Sequence, residues 1–139
     1  MMQQHLTPEM LNELSPEAKE RLREWWKPSV FEKVVAYGKV FVVGDIKGRV
    51  LVALNHPLFP CEGLSYWQHE CLPLLSIGQC IELLNAKSPD GHVLIEYCED
   101  WFKKGPWFVD ARTAMLQAHA PELIRALWDV AKEVLEVGE

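Results

Sequence analysis

The hydrophobic residues near the N-terminus are spaced as they are in helices. Apolar side chains recur every three or four residues from Leu11 to Trp25, which places them on one helical face. The segments Thr7-Pro8-Glu9 and Ser15-Pro16-Glu17 each supply a hydroxyl cap, a proline for the first helical position and an acidic residue for the first turn. Because a proline inside a helix costs about 3 kcal/mol, we predict a short helix, a bend and a second helix ending near Trp26.

Beyond the second predicted helix, β-branched and apolar runs predict a β-hairpin. These runs are residues 39–43 and 49–54, and the segment between them, Gly44 to Gly48, has the glycine and aspartate content of a turn. Both faces of the two strands are apolar, so we expect other elements to cover the hairpin on each side. A further strand is predicted around Val34 to Tyr37.

The segment from Asn55 to Pro73 shows no hydrophobic period and is interrupted by Pro57, Pro60 and Gly63. This composition predicts a long ordered loop. Since structureless connections of this length are uncommon in compact domains, the segment either has a function or contains a strand that the pattern does not indicate.

The C-terminal half is predicted to contain helices and a second hairpin. Ser76 is expected to cap a helix that runs from Ile77 to about Ala86. The other predicted elements are strands at 92–98 and 106–109, which form the hairpin, a helix at 112–118, and a final helix from Pro121 to about Val137.

This order of elements predicts one α+β domain over residues 1–139. Its sheet is expected to be mostly antiparallel and made of two hairpins, with helices packed on one or both faces. A chain of 139 residues has the length of a single domain with its own core, and we find no internal repeat or linker.

Charge and composition narrow the function classes. The chain carries 14 Lys plus Arg against 20 Asp plus Glu, a net charge of -6, which disfavours binding to duplex nucleic acid. No apolar run approaches the ~20 residues that cross a bilayer, and the first residues lack the features of a secretory signal. We therefore expect a cytoplasmic protein without membrane association, with its four cysteines reduced.

The tip of the second hairpin is the predicted partner-binding site. Trp101 and Trp107 flank Lys103 and Lys104, and tryptophans in such positions often anchor a protein partner. The alternative is that both rings fold back onto neighbouring helices. With six tryptophans in the chain, we favour a non-enzymatic interaction protein that binds a protein partner or self-associates, for example as a homodimer, without a cofactor.

The long loop supports an alternative function, a small zinc- or thiol-dependent enzyme using Asn55–Pro73. Its His56, Cys61, His69 and Cys71 are residue types that bind zinc. However, His69 and Cys71 are separated by one residue, whereas structural zinc ligands usually come in pairs two to four residues apart. Cys80 shares an apolar helix face, which predicts a buried and inert thiol. We therefore assign no metal and no catalytic residue.

Two C-terminal segments resemble small uncharacterised proteins carried by phages and prophages of Gram-positive bacteria. The first is Leu74–Leu84 (LLSIGQCIELL), and the second is Glu122–Trp128 (ELIRALW) followed by Lys132–Leu135 (KEVL). The upstream segment Leu22–Pro28 is similar too, so the resemblance covers about half of the chain. It implies an accessory role in a mobile element and a helix–sheet–helix arrangement of the C-terminal half, but no activity and no site residues.

Overall fold

A computed structural model of the protein describes residues 4–54, 65–87, 93–98, 105–111 and 116–137. Its helices are α1 (Pro8–Leu11), α2 (Pro16–Trp25), α3 (Ile77–Lys87) and α4 (Leu123–Val137). Its strands are β1 (Lys33–Ala36), β2 (Lys39–Lys47), β3 (Val50–Leu54), β4 (Ser65–Trp67), β5 (Leu72–Pro73), β6 (Val93–Tyr97), β7 (Trp107–Ala111) and β8 (Leu116–Ala120). These elements confirm the predicted α+β class.

The strands form two antiparallel sheets. The larger sheet has five strands in the order β4-β3-β2-β1-β5, and the smaller has three in the order β6-β7-β8. The predicted hairpins are β2–β3 and β6–β7, and each lies in a different sheet. A single 3-10 turn, Gln68–Glu70, connects β4 to β5.

The N-terminal helices begin where their capping sequences predict. The Thr7 hydroxyl accepts a hydrogen bond from the Met10 amide at 3.3 Å, and the Ser15 hydroxyl accepts one from the Ala18 amide at 3.1 Å. Each helix therefore satisfies one of its free amides at the first turn, and the bend lies before Pro16 as predicted.

The turn of the first hairpin is shorter than predicted. β2 continues to Lys47, and only Gly48 and Arg49 separate it from β3. Gly44 lies at a β-bulge, where the register between β2 and β3 shifts between Val43 and Asp45. A glycine and an aspartate inside a strand thus resembled a turn in the sequence, because bulges favour the same residues.

Two further predictions need correction. The predicted loop Asn55–Pro73 contains β4, the 3-10 turn and β5 in its second half, while residues 55–64 lie outside the described residues. The predicted helix at 112–118 is wrong at its C-terminal end, where β8 pairs with β7 through Val109 and Ala118. Residues 112–115 of that prediction are not described. Pairing with β7 decides the conformation of β8, since its sequence has little strand preference.

The main core is built around α4. Trp128, Leu127 and Leu135 of this helix are fully buried, together with Val109 of β7 and Leu83 of α3. The Trp128 indole nitrogen donates a hydrogen bond to the Met10 carbonyl at 3.2 Å. The indole thus packs its ring in the core and satisfies its one polar group on α1.

A second, smaller core lies on one face of the larger sheet. It consists of Trp26, Val34, Ala36, Phe41, Val43, Leu51 and Cys71. Trp25, the last residue of α2, is partly buried against both cores. Glu32 also joins the two regions, because its carboxylate accepts hydrogen bonds from the Trp26 indole at 3.3 Å and from the Gln79 side chain of α3.

The connection between α1 and α2 is held to α4 by a cluster of charges. The Glu13 carboxylate accepts hydrogen bonds from Arg125 at 2.8 and 2.9 Å and from Lys132 at 2.9 Å. The Arg125 guanidinium donating to this carboxyl is the largest influence on it, and the pKa of Glu13 is lowered to about 2.

Replacing Trp128 by alanine tests the importance of the main core. We expect Trp128→Ala to lower the free energy of unfolding by about 3–5 kcal/mol, because it removes a large buried ring and leaves a cavity. The matched variant Trp67→Ala removes an exposed ring and should change the free energy of unfolding by about 0.5 kcal/mol or less. Urea unfolding followed by circular dichroism measures both, and equal effects would contradict this account of the core.

The charge cluster predicts a dependence of stability on pH. A carboxyl whose pKa is lowered by folding stabilises the protein above its unfolded pKa of about 4.5 and loses that contribution as the pH falls towards 2. We expect Glu13→Gln to lower the melting temperature at pH 7. The loss of stability should be about 1 kcal/mol at most, because the ion pair between Glu13 and Arg125 is partly exposed.

The same difference should shrink below pH 4.5 and disappear near pH 2. Thermal melts of wild type and Glu13→Gln at several pH values measure it. The control is Glu133→Gln, which changes an exposed acid of α4. A constant difference between wild type and Glu13→Gln at all pH values would contradict the role of the Glu13 charge.

Candidate interaction surface

The predicted partner-binding residues lie partly outside the described residues. Trp101, Lys103 and Lys104 are not among them, so their role stays a prediction. Trp107 begins β7, is half-buried against the main core and contacts the ring of Tyr97 edge-on, with ring centroids 5.0 Å apart. For Trp107 this packing matches the alternative in which the ring folds back onto the core.

The described part of the structure does not bring the candidate zinc ligands together. His56 and Cys61 lie outside it. His69 is exposed beside the Trp67 ring, whereas Cys71 is completely enclosed in the second core. Within residues 4–54, 65–87, 93–98, 105–111 and 116–137, no three His, Cys, Asp or Glu side chains converge as a metal site.

The environment of two thiols is unsuited to nucleophilic chemistry. Burial raises the pKa of Cys71 to about 11, with the nearby Glu70 charge adding to the effect. Burial alone raises the pKa of Cys80 to about 12. The thiolate is the reactive form of cysteine, so both side chains act as small hydrophobic residues of the cores.

A polar cleft of about 520 Å³ lies between α2 and the segment that follows β4. Arg23, Arg49 and His69 line it together with Glu20 and Glu24. The Arg23 guanidinium is already engaged, since it pairs with Glu20 and donates a hydrogen bond to the Cys71 carbonyl at 3.1 Å. The opposite charges in this cleft therefore largely compensate one another.

The larger sheet has an apolar face that packs on neither core over most of its area. We call it the valine face, and its members are Val35, Val40, Val42, Val50, Val52 and Trp67. Strand register places them together, because Val35 pairs with Val40 and Val50 pairs with Trp67, and alternate residues of a strand share a face. Only Val35 packs against the main core, and none of the six belongs to the second core.

The valine face is accessible to solvent at both ends. Val40 is 52% exposed and Trp67 is 54% exposed, and the valines between them are partly exposed. The expectation that other elements cover the first hairpin on both sides stays a prediction for this face, because its four inner valines are partly buried and residues 55–64 lie outside the described residues. Its other face holds the buried side chains of the second core, and sequence could not show which face Trp26 would cover.

Charged side chains also lie on the valine face. Lys33 and Lys47 are exposed and share this face by register, with Asp45 between them along the sheet. Arg49, which precedes Val50 in the turn, lines the polar cleft beside α2 instead. With two lysines and one aspartate, this face carries a small excess of positive charge, although the whole chain has a net charge of -6.

No protein-family model, curated protein sequence or solved structure matches this chain. The resemblance to phage and prophage proteins accordingly stays a prediction. The helices of the described residues include none long and apolar enough to cross a membrane.

The buried thiols lead to a test by alkylation. At pH 8, iodoacetamide should leave Cys71 and Cys80 of the folded protein unmodified, because their raised pKa values and burial suppress the thiolate. Half-exposed Cys98 should react faster than either. Peptide mapping by mass spectrometry gives the rates, and urea-unfolded protein, in which all cysteines react, is the control. Rapid alkylation of folded Cys71 would instead make the thiol-dependent enzyme the better hypothesis.

Proposed function

We propose that this protein acts by binding another protein through the valine face, and that it is not an enzyme. The observation that carries the proposal is a group of adjacent apolar side chains on the larger sheet, with Val40 and Trp67 more than half exposed. Contiguous exposed apolar surface of this kind is typical of protein contact sites, whereas single exposed apolar residues are not informative.

The composition of the valine face suits a protein partner better than a nucleic acid. Its apolar members are aliphatic apart from Trp67, so it offers few rings on which bases could stack. An exposed tryptophan is common at the energetic centre of a protein interface. The face combines apolar side chains with the charged Lys33, Asp45 and Lys47, which lie opposite Val42, Val52 and Val50.

The charges around the valine face favour a partner with an acidic rim. Two copies meeting face to face would each present Lys33 and Lys47, and like charges at an interface are unfavourable. Carboxylates on a different protein would instead be attracted to them. We infer that the occupant of this face is an apolar, acid-rimmed protein surface.

The alternative enzyme is less well supported by the described residues. It depends on thiols or metal ligands of the 55–73 segment, and Cys71 is enclosed with a raised pKa. A cytoplasmic location and an accessory role in a mobile element remain part of this proposal. The accessory role agrees with it because accessory proteins commonly work through contacts with other proteins.

A capture experiment with matched variants tests the proposed function. Tagged wild-type protein and the variant Val40→Ser/Trp67→Ala are incubated with a lysate of the source cells, and bound proteins are compared by quantitative mass spectrometry. We expect at least one protein to be bound tenfold less by the variant, because two exposed apolar anchors are removed. Its binding should also weaken with added salt if its rim is acidic.

The control is Val137→Ser, which removes a side chain that is 68% exposed at the end of α4. This variant should capture the same protein as wild type does, and circular dichroism should show that all three proteins are folded. Equal capture by wild type and by Val40→Ser/Trp67→Ala would show that the valine face is not the binding surface. A partner that proves to be RNA or DNA would equally overturn the proposal.

A further inference from the structure

One edge of the smaller sheet is formed by β6. β6 pairs with β7 on one side, and no described residue forms a strand on its other side. Unpaired edges of this kind attract other strands, and proteins usually protect them with short strands, prolines or lysines.

One hydrogen bond identifies which main-chain groups of β6 face this edge. The Cys98 amide donates to the Pro106 carbonyl at 2.9 Å, and these two residues are opposite each other in the β6–β7 register. Opposed pairs in an antiparallel ladder alternate between hydrogen-bonded and non-hydrogen-bonded. Leu94 and Glu96 therefore bond to β7, while the amides and carbonyls of Val93, Ile95 and Tyr97 point to the free edge.

The sequence of β6 has little of the usual protection against strand pairing, with Glu96 as its one charged residue. Its residues, Val-Leu-Ile-Glu-Tyr, include no lysine and no proline, and they are mostly types that favour strands. The edge strands of the larger sheet are shorter, since β4 has 3 residues and β5 has 2. The other edge of the smaller sheet, β8, has the sequence Leu-Gln-Ala-His-Ala, without β-branched or aromatic residues.

We propose that β6 pairs antiparallel with β6 of a second copy of this chain, which joins two three-stranded sheets into one sheet across a two-fold axis. The axis passes through Ile95, which lies opposite its own counterpart. Val93 then lies opposite Tyr97 of the other copy. The residues whose amides and carbonyls point away from β7 therefore meet across the axis as hydrogen-bonded pairs.

This register is also electrostatically acceptable. Glu96 lies opposite Leu94 of the second copy, so the two carboxylates of β6 do not face each other, and like charges directly opposite would destabilise the pair. The axis is perpendicular to the sheet, which keeps the core-facing side chains of both copies on the same side. An isologous contact of this type closes as a dimer and does not continue into a fibre.

Two variants of a single residue separate main-chain pairing from side-chain contact. Tyr97→Pro removes an amide that faces the free edge, and it leaves the β6–β7 hydrogen bonds in place because that amide does not take part in them. Tyr97→Ala removes the same ring but keeps the amide. Sedimentation equilibrium should show a wild-type dimer, a similar dimer for Tyr97→Ala, and a dissociation constant raised about tenfold or more for Tyr97→Pro.

Hydrogen exchange gives a second measurement that does not need a variant. In the dimer, the amides of Val93, Ile95 and Tyr97 should be protected, and their protection should fall when the protein is diluted, whereas Leu94 and Glu96 stay protected throughout. A wild-type monomer at about 100 µM, or equal dissociation constants for Tyr97→Pro and Tyr97→Ala, would overturn the proposal. These results do not depend on the valine face, so either proposal can fail without the other.

Discussion

The burial of α4 against the smaller sheet is the interaction on which the rest of the fold depends. Its apolar stripe contacts β7 and β8, and the neighbouring helices pack around the same side chains. Trp128 connects this core to the N-terminus through its hydrogen bond to Met10. The Glu13 cluster and the hydrogen bonds from Arg21 to the carbonyls of Leu135 and Glu136 add polar attachments along the same helix.

The larger sheet is attached to this core at few points, and their geometry determines which of its faces is exposed. Trp25 and Trp26 end α2 at the boundary between the two cores, and the Glu32 carboxylate joins Trp26 to Gln79 of α3. Trp26, which follows α2, packs on one face of the sheet, where Cys71 and Phe41 are buried with it. The valines lie on the opposite face.

The two proposed contact sites differ in their physical basis. The valine face would bind through apolar burial and charge attraction, so its specificity would come from side chains. The edge of β6 would bind through main-chain hydrogen bonds, so its specificity would come from register. The two surfaces belong to different sheets, and a dimer formed through β6 would carry two copies of the valine face. Two linked copies can increase the apparent affinity for a partner that presents two binding surfaces.

Local patterns in the sequence were sufficient for the elements that depend on local interactions. The capping segments at Thr7 and Ser15 determine where α1 and α2 begin, and the apolar period determines α4, because both act within a few residues. The strands of the first hairpin followed from β-branched runs in the same way, although the bulge at Gly44 resembled its turn. The α+β class could therefore be predicted, since it requires only the types and order of the elements.

The tertiary structure decided what depends on distant partners. β8 became a strand because it pairs with β7, and β4 and β5 formed inside a segment without a period because β3 and β1 were available to pair with them. The thiol of Cys71 is buried and His69 exposed although they are two positions apart, because the second core encloses only one side of that turn. Which face of the larger sheet is buried was likewise invisible in the sequence, because the packing of Trp26 on one of them decides it.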